Sequence, residues 1–285
     1  MTKTQPSIIA TTATPTWSFS HLQGVSLPAQ METATLDLSL ATNERRIISL
    51  DFSQNLLDTP NFFAKITGKL APDSQLTLEI FAVTPAKTTF ALENQLELES
   101  GAQVQICEFY AGTGRSLVSH PLNIAGTGVH TNFYTGFALT QAPGKLYWHA
   151  HLTHHAPQAQ SKLTCNGILS DGTSKNWHPT LDYLPGSRAC FGREQETVLL
   201  LGDQLENHSA PLILAGEDDL DAAHAVTSGG ISDDVLAYLA SRGLDAATAK
   251  TFYAQSQLRQ ISAQFCDHIL QTKLNKIIDQ IKEKI

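Results

Sequence analysis

The densest group of metal-binding side chains in the sequence is His149, His151, His154 and His155. If residues 147–151 form a strand, His149 and His151 project from one face, because strand side chains alternate. His154 from the following turn then adds a third imidazole, and three such donors can hold a divalent metal. The spacing fits no standard zinc pattern, so a solvated strand face is the competing reading. Cys165 and Cys190 flank His178, and thiolate with imidazole can hold iron. A buried free cysteine is also among the commonest core residues; Cys107 and Cys266 read that way too, and Cys165 is the thiol retained as a metal candidate. Hydrolase and nucleotide chemistry find no support. No serine stands in a GxSxG setting, and Gly126-Thr127-Gly128 is followed by no GK[ST]. Asp218, Asp219 and Asp221 read as a solvated turn ahead of a helix.

A strand-rich body must position these groups. Polar and apolar residues alternate from Thr35 to Leu40, Gln75 to Ile80, Gln95 to Glu99, Gln103 to Phe109 and Lys145 to His151. This period of two puts one face inward. Ser100-Gly101, Gly112-Thr113-Gly114, Ser170-Asp171-Gly172 and Gly202-Asp203 punctuate the strands as turns. No useful helical period appears between about residues 70 and 216. Many short strands imply a sandwich, a barrel or a β-solenoid. With no clean short repeat, a solenoid must have irregular coils.

The pattern changes after Glu217-Asp218-Asp219. Ser232 is placed to cap a helix from Asp233 to Ser241, Gly243 to stop it, and Asp245 to cap the next. Leu274, Ile277, Ile278, Ile281 and Ile285 form one helical stripe with lysines beside it. Three regions follow: a partly strand segment 1–60, a β core 61–220 and a helical region 221–285. A short helical tail holds little core of its own, so it is expected to dock on the body. Tyr238, Phe252 and Tyr253, with Leu239 and Leu258, supply apolar area for that docking and for an aromatic partner surface.

The 285 residues suffice for one large domain with an appendage. Charged residues make up 16%, and the net charge is -8. No basic footprint of the kind nucleic acid requires is visible. Four scattered cysteines predict no disulfide framework. Residues 1–20 carry no apolar run of signal-peptide length, and no stretch approaches a membrane span. The expectation is a reduced, cytoplasmic protein.

Three stretches carry a resemblance: Leu199-Leu200-Leu201-Gly202-Asp203; Ala210-Pro211-Leu212-Ile213-Leu214; and Glu217-Asp218-Asp219 running through His224 to Ile231. Together with Leu236 to Leu244, which includes Ser241-Arg242-Gly243, they resemble the SufB/SufD family of the SUF iron–sulfur cluster assembly system. The resemblance is specific from about residue 195 to 255, diffuse from 70 to 195 and absent from 1 to 60. It implies a mainly β fold, a right-handed parallel β-helix with irregular coils and a C-terminal α-helical domain. It implies a non-catalytic scaffold that pairs with a SufB-like subunit and docks a SufC-like ABC-type ATPase. A homodimer through the same β-edge is a further expectation for the isolated chain. By resemblance His224 sits at the subunit interface and helps bind iron or a nascent cluster, with no tightly bound cofactor. The bland alternative is a histidine that hydrogen-bonds the turn between strand and helix. Arg242 joins Tyr238, Phe252 and Tyr253 as a partner-binding candidate. Two departures matter: Ala222 stands where the family often has cysteine, and Ala225 replaces the glycine after the histidine. A catalytic cysteine is therefore not supported, which favours the SufD side of the family. The competing functions are a small metalloenzyme built on the histidine cluster and a carbohydrate-acting β-solenoid.

Overall fold

The computed structural model describes residues 10–13, 28 and 30–283. Its strands are β1 (Ala10–Ala13), β2 (Met31–Asp37), β3 (Arg45–Asp51), β4 (Asn61–Leu70), β5 (Gln75–Thr84), β6 (Thr89–Leu98), β7 (Gln103–Gly112) and β8 (Arg115–Ile124). They continue with β9 (His130–Leu139), β10 (Lys145–His154), β11 (Gln160–Ser170), β12 (Ser174–Tyr183), β13 (Cys190–Leu201), β14 (Glu206–Ser209), β15 (Leu212–Ala215) and β16 (Leu220–Gly229). The helices are α1 (Ser53–Asp58), α2 (Asp233–Ser241), α3 (Ala246–Ser262) and α4 (His268–Asp279).

From β2 onward, strands alternate between two parallel sheets. One runs β2-β4-β6-β8-β10-β12 and ends on β14 and β15; the other runs β3-β5-β7-β9-β11-β13-β16. The chain is thus a parallel β-solenoid of about seven turns, as the resemblance implied. Asn61, Thr89, Arg115, Lys145 and Ser174 stack at one register position, at unequal spacing along the chain. Those irregular coils are why no short repeat is legible. β2 and β3 carry the coil upstream of residue 61, and β16 carries it past residue 220, the expected end of the β core, to Gly229.

Inward side chains form one continuous apolar core of stacked columns, such as Ile48, Leu78, Ile106, Phe133 and Leu163. The second sheet is apolar on its outer face as well: Phe81, Phe109, Ala138, Ile168 and Leu199 meet Ala254, Leu258, Ile261, Leu270, Leu274, Ile278 and Ile281 from the tail. This explains why Ile80-Phe81-Ala82-Val83 does not alternate, since a strand covered on both faces reads as a continuous apolar run. Gly136 permits the close approach: a Cβ there would lie 2.7 Å from Phe109 and 3.0 Å from Ile261.

The expected caps are present. Ser232 accepts from the Val235 N–H, Asp245 accepts from Thr248, and Gly243 takes φ +87°. Ile285 of the expected stripe lies outside the described residues. The tail is also locked by Glu79, a fully buried carboxylate on β5 that accepts backbone N–H groups of Cys266 and Asp267 ahead of α4, and the Ser49 hydroxyl at 2.9 Å. Glu79→Ala strands those donors and is expected to cost about 2–4 kcal/mol, since bonds to a charged acceptor contribute about 1.5–3 kcal/mol each. Urea denaturation, with proteolysis at the α3–α4 connection as a second readout, checks this. An unchanged midpoint and unchanged cleavage would contradict it.

Candidate functional site at the open end of the solenoid

His224 lies in the middle of β16, not in the turn that the bland reading gave it. β16 is the terminal strand of its sheet and pairs with β13, where His224 faces Glu194 in register. Register partners in parallel strands share a face, so His224 continues the inward column of Phe133, Leu163 and Glu194. Because the coil is the last, this inward position is exposed. Val226, two residues on, is likewise inward by parity and 42% exposed.

The lumen just beneath is polar. Glu194 is 1% exposed, and neither of its carboxylate oxygens has a hydrogen-bond partner. Burial pushes its carboxyl up to about 8. The next inward residue, Glu196, pairs with the buried Lys175 ammonium and accepts from Ser209, which also takes a 2.8 Å bond from Lys175. Trp177 Nε1, Tyr183 Oη and Asn207 Oδ1 are buried near this end without partners.

The expected histidine cluster does not converge. β10 runs to His154, three residues past the expected strand end, so parity rather than a turn places that ring. His149 and His151 lie on the outer face, their ring centroids 6.3 Å apart, with His178 as the register partner of His149. His151 Nε2 lies 3.2 Å from an Asp182 carboxylate oxygen. His154 points into the lumen, stacks on Tyr183 at 4.4 Å and is fully buried. Its Nδ1–H donates to the Asp182 carbonyl at 3.2 Å, and Nε2 accepts from Ser161 at 2.8 Å, which Thr131 in turn contacts at 2.9 Å. Burial holds its pKa down at about 4, so the ring is neutral and both nitrogens are engaged. Cys165 is inward on the opposite sheet, buried, and its thiol is pushed well up by desolvation, which disfavours the thiolate a metal requires. Among the described residues, no three His, Cys, Asp or Glu side chains group to hold a metal. Cys190 and Cys107 are buried with raised thiol pKa values, Cys107 to about 12, and Cys266 is exposed.

On the tail, Tyr238 and Phe252 are each 58% exposed, and the Arg242 guanidinium lies 5.2 Å from the Tyr238 ring centroid. Tyr253 instead packs against the core formed by the tail and the second sheet, so its bulk serves docking on the body.

Sequence reading missed three buried, inward-facing carboxylates. In β7, Val104 and Ile106 set the inward parity, and two residues on it lands on Glu108. Glu108 is fully buried and accepts from Tyr110 at 2.7 Å, Thr135 at 2.7 Å, Trp148 Nε1 and His120 Nε2 at 3.0 Å. In β13 the same count from Cys190 reaches Glu194 and Glu196. A glutamate at an apolar-parity position was the available signal.

Residues 60–256 match the SufBD core domain of SUF system FeS cluster assembly. A 93-residue stretch is 25% identical to the iron–sulfur cluster assembly protein SufD of Bacillus subtilis (strain 168), covering 33% of this chain and 21% of that protein. The matched stretch thus spans about a fifth of that curated relative. None of the described helices is long and apolar enough to cross a membrane.

Proposed function

This chain belongs to the SufB/SufD family of the SUF iron–sulfur cluster assembly system, and from that premise we propose that it is a non-catalytic, SufD-like scaffold subunit of a cytoplasmic assembly complex. The observation that carries this reading is the terminal position of β16, with His224 exposed at its centre. A terminal strand presents backbone donors and acceptors along its free edge, and a partner strand satisfies them by extending the sheet. At the other end of the stack, β1 already lies antiparallel along β2. A SufB-like subunit joining β16 places His224 in the seam, where a neutral imidazole can take up iron or a nascent cluster and release it. Iron and sulfide are cargo in this scheme, and no step requires catalysis by this chain.

The tail supplies the second contact. Tyr238 and Phe252 are large, exposed and aromatic, and Arg242 braces Tyr238. Such groups anchor interfaces, and a SufC-like ATPase is their proposed occupant. ATP-driven closure of paired ATPases would then strain the seam through the tail domains, a hinge-type coupling.

Co-purification with SufB-like and SufC-like partners tests both contacts. His224→Ala is expected to assemble normally yet lose at least tenfold in iron–sulfur loading. Tyr238→Ala with Phe252→Ala is expected to weaken ATPase binding at least tenfold without changing the melting temperature. No association of the wild-type chain, or full loading with His224→Ala, would overturn the reading.

A further inference from the structure

We propose that Glu194 is a second donor beneath His224, so that this chain alone carries a carboxylate–imidazole half-site for a divalent metal at the open coil. This inference rests on the reading of His224 given above and extends it to a residue one coil deeper.

Buried polar groups are almost always hydrogen-bonded, and each exception calls for a reason. Among the described residues, most buried side-chain polar atoms without a partner lie in the last coils: both oxygens of Glu194, Tyr183 Oη, Trp177 Nε1 and Asn207 Oδ1. They include both donors and acceptors, and Trp177 and Tyr183 belong to the core on which the last coil stacks. A hydrated cation answers that mixture, because its water molecules can donate to Asn207 and accept from Tyr183 and Trp177.

Geometry selects Glu194 and His224 as the direct donors. They are register partners on neighbouring parallel strands with inward parity, and such strands lie about 4.8 Å apart. That separation allows an imidazole nitrogen and a carboxylate oxygen to meet one ion, whose bonds to both run about 2.0–2.2 Å. Gly192 keeps the adjoining position free of a side chain and admits Tyr183: a Cβ there would lie 2.0 Å from Tyr183 Oη. Oxygen with imidazole suits Fe2+, Mn2+ and Zn2+ more than a soft thiophilic ion. The remaining coordination positions open toward the proposed partner.

Anaerobic titration of the isolated full chain with Co2+, read from its d–d absorption, tests this without any assay of assembly. The wild type is expected to take up one Co2+. Glu194→Gln, nearly the same shape, is expected to weaken binding at least tenfold, as is His224→Ala. Glu194→Leu, which suits the apolar lumen, must show the same loss while remaining folded by circular dichroism. Unchanged affinity in either Glu194 variant, with loss in His224→Ala, would overturn this inference and leave the role of His224 standing. Absence of Co2+ binding by the wild type would also overturn it, and the co-purification experiment would then judge the pairing reading separately.

Discussion

Glu108→Ala is expected to destabilise the fold by about 3–5 kcal/mol, the cost usual for breaking a buried charged group away from its partners. Glu108 lies inside the solenoid between Ile80 and Thr135 of neighbouring coils. Tyr110, His120, Thr135 and Trp148 all donate to it, and every one of them is buried. Truncation leaves four donors in a lumen without a compensating acceptor, and the surrounding coils are too closely packed to reorganise around the gap. Burial works to raise the Glu108 carboxyl, but the charge and hydrogen bond of His120, aided by Tyr110 and Thr135, outweigh it and hold the group below its ordinary value of 4.5. The unfolded chain binds this proton first as pH falls, so the stabilisation is fully present above about 4.5 and is lost as pH drops through the lower folded value. Urea denaturation at pH 7 and along an acid series checks both parts. A loss under 1 kcal/mol at pH 7 would contradict the hub role, as would an acid profile unaltered by the substitution.

The second large effect belongs to Val226. Val226→Asp is expected to weaken pairing with a SufB-like subunit by two to three orders of magnitude, with little change in the free chain. Val226 is 42% exposed, so an aspartate there stays hydrated when the chain is alone. In the paired state it becomes a carboxylate at a covered seam, in register with Glu196 and one residue pair along from Glu194. An uncompensated buried charge costs about 3–5 kcal/mol, and each 1.4 kcal/mol is a factor of ten in affinity. Calorimetric titration reads the affinity and thermal melting reads the free chain. An affinity within threefold of wild type would place the partner elsewhere.

Much of this architecture was legible in the residues. Alternation in Gln75 to Ile80, Gln103 to Ile106 and Lys145 to His151 located half-buried strands because a pleated strand has a fixed period of two. Ser232, Gly243 and Asp245 marked helix ends because each meets a defined backbone need. What alternation did not convey was the phase at the end of a strand. By local pattern His154 reads as a turn residue, and only its even parity with Trp148, Ala150 and Leu152 sends it inward to Ser161. The same oversight hid Glu108 and Glu194, since a lone glutamate reads as solvent-facing unless the count is carried through it. Tertiary cover was illegible for a different reason. The outer face of Phe81, Phe109 and Ile168 depends on the tail helices, which lie far along the chain, and no local pattern announces that Cys107 lies beneath the carbonyl of Gln264 at 3.3 Å. The exposure of His224 likewise follows from β16 being last in its sheet, a property of the whole stack rather than of its sequence neighbours.

Hydrogen–deuterium exchange of this chain with and without a SufB-like subunit tests most directly whether the last coil is the docking edge. Slowed exchange is predicted across β16, Leu220–Gly229, centred on His224. Unchanged exchange there, with protection appearing on the outer sheet faces or on the tail helices instead, would contradict the account.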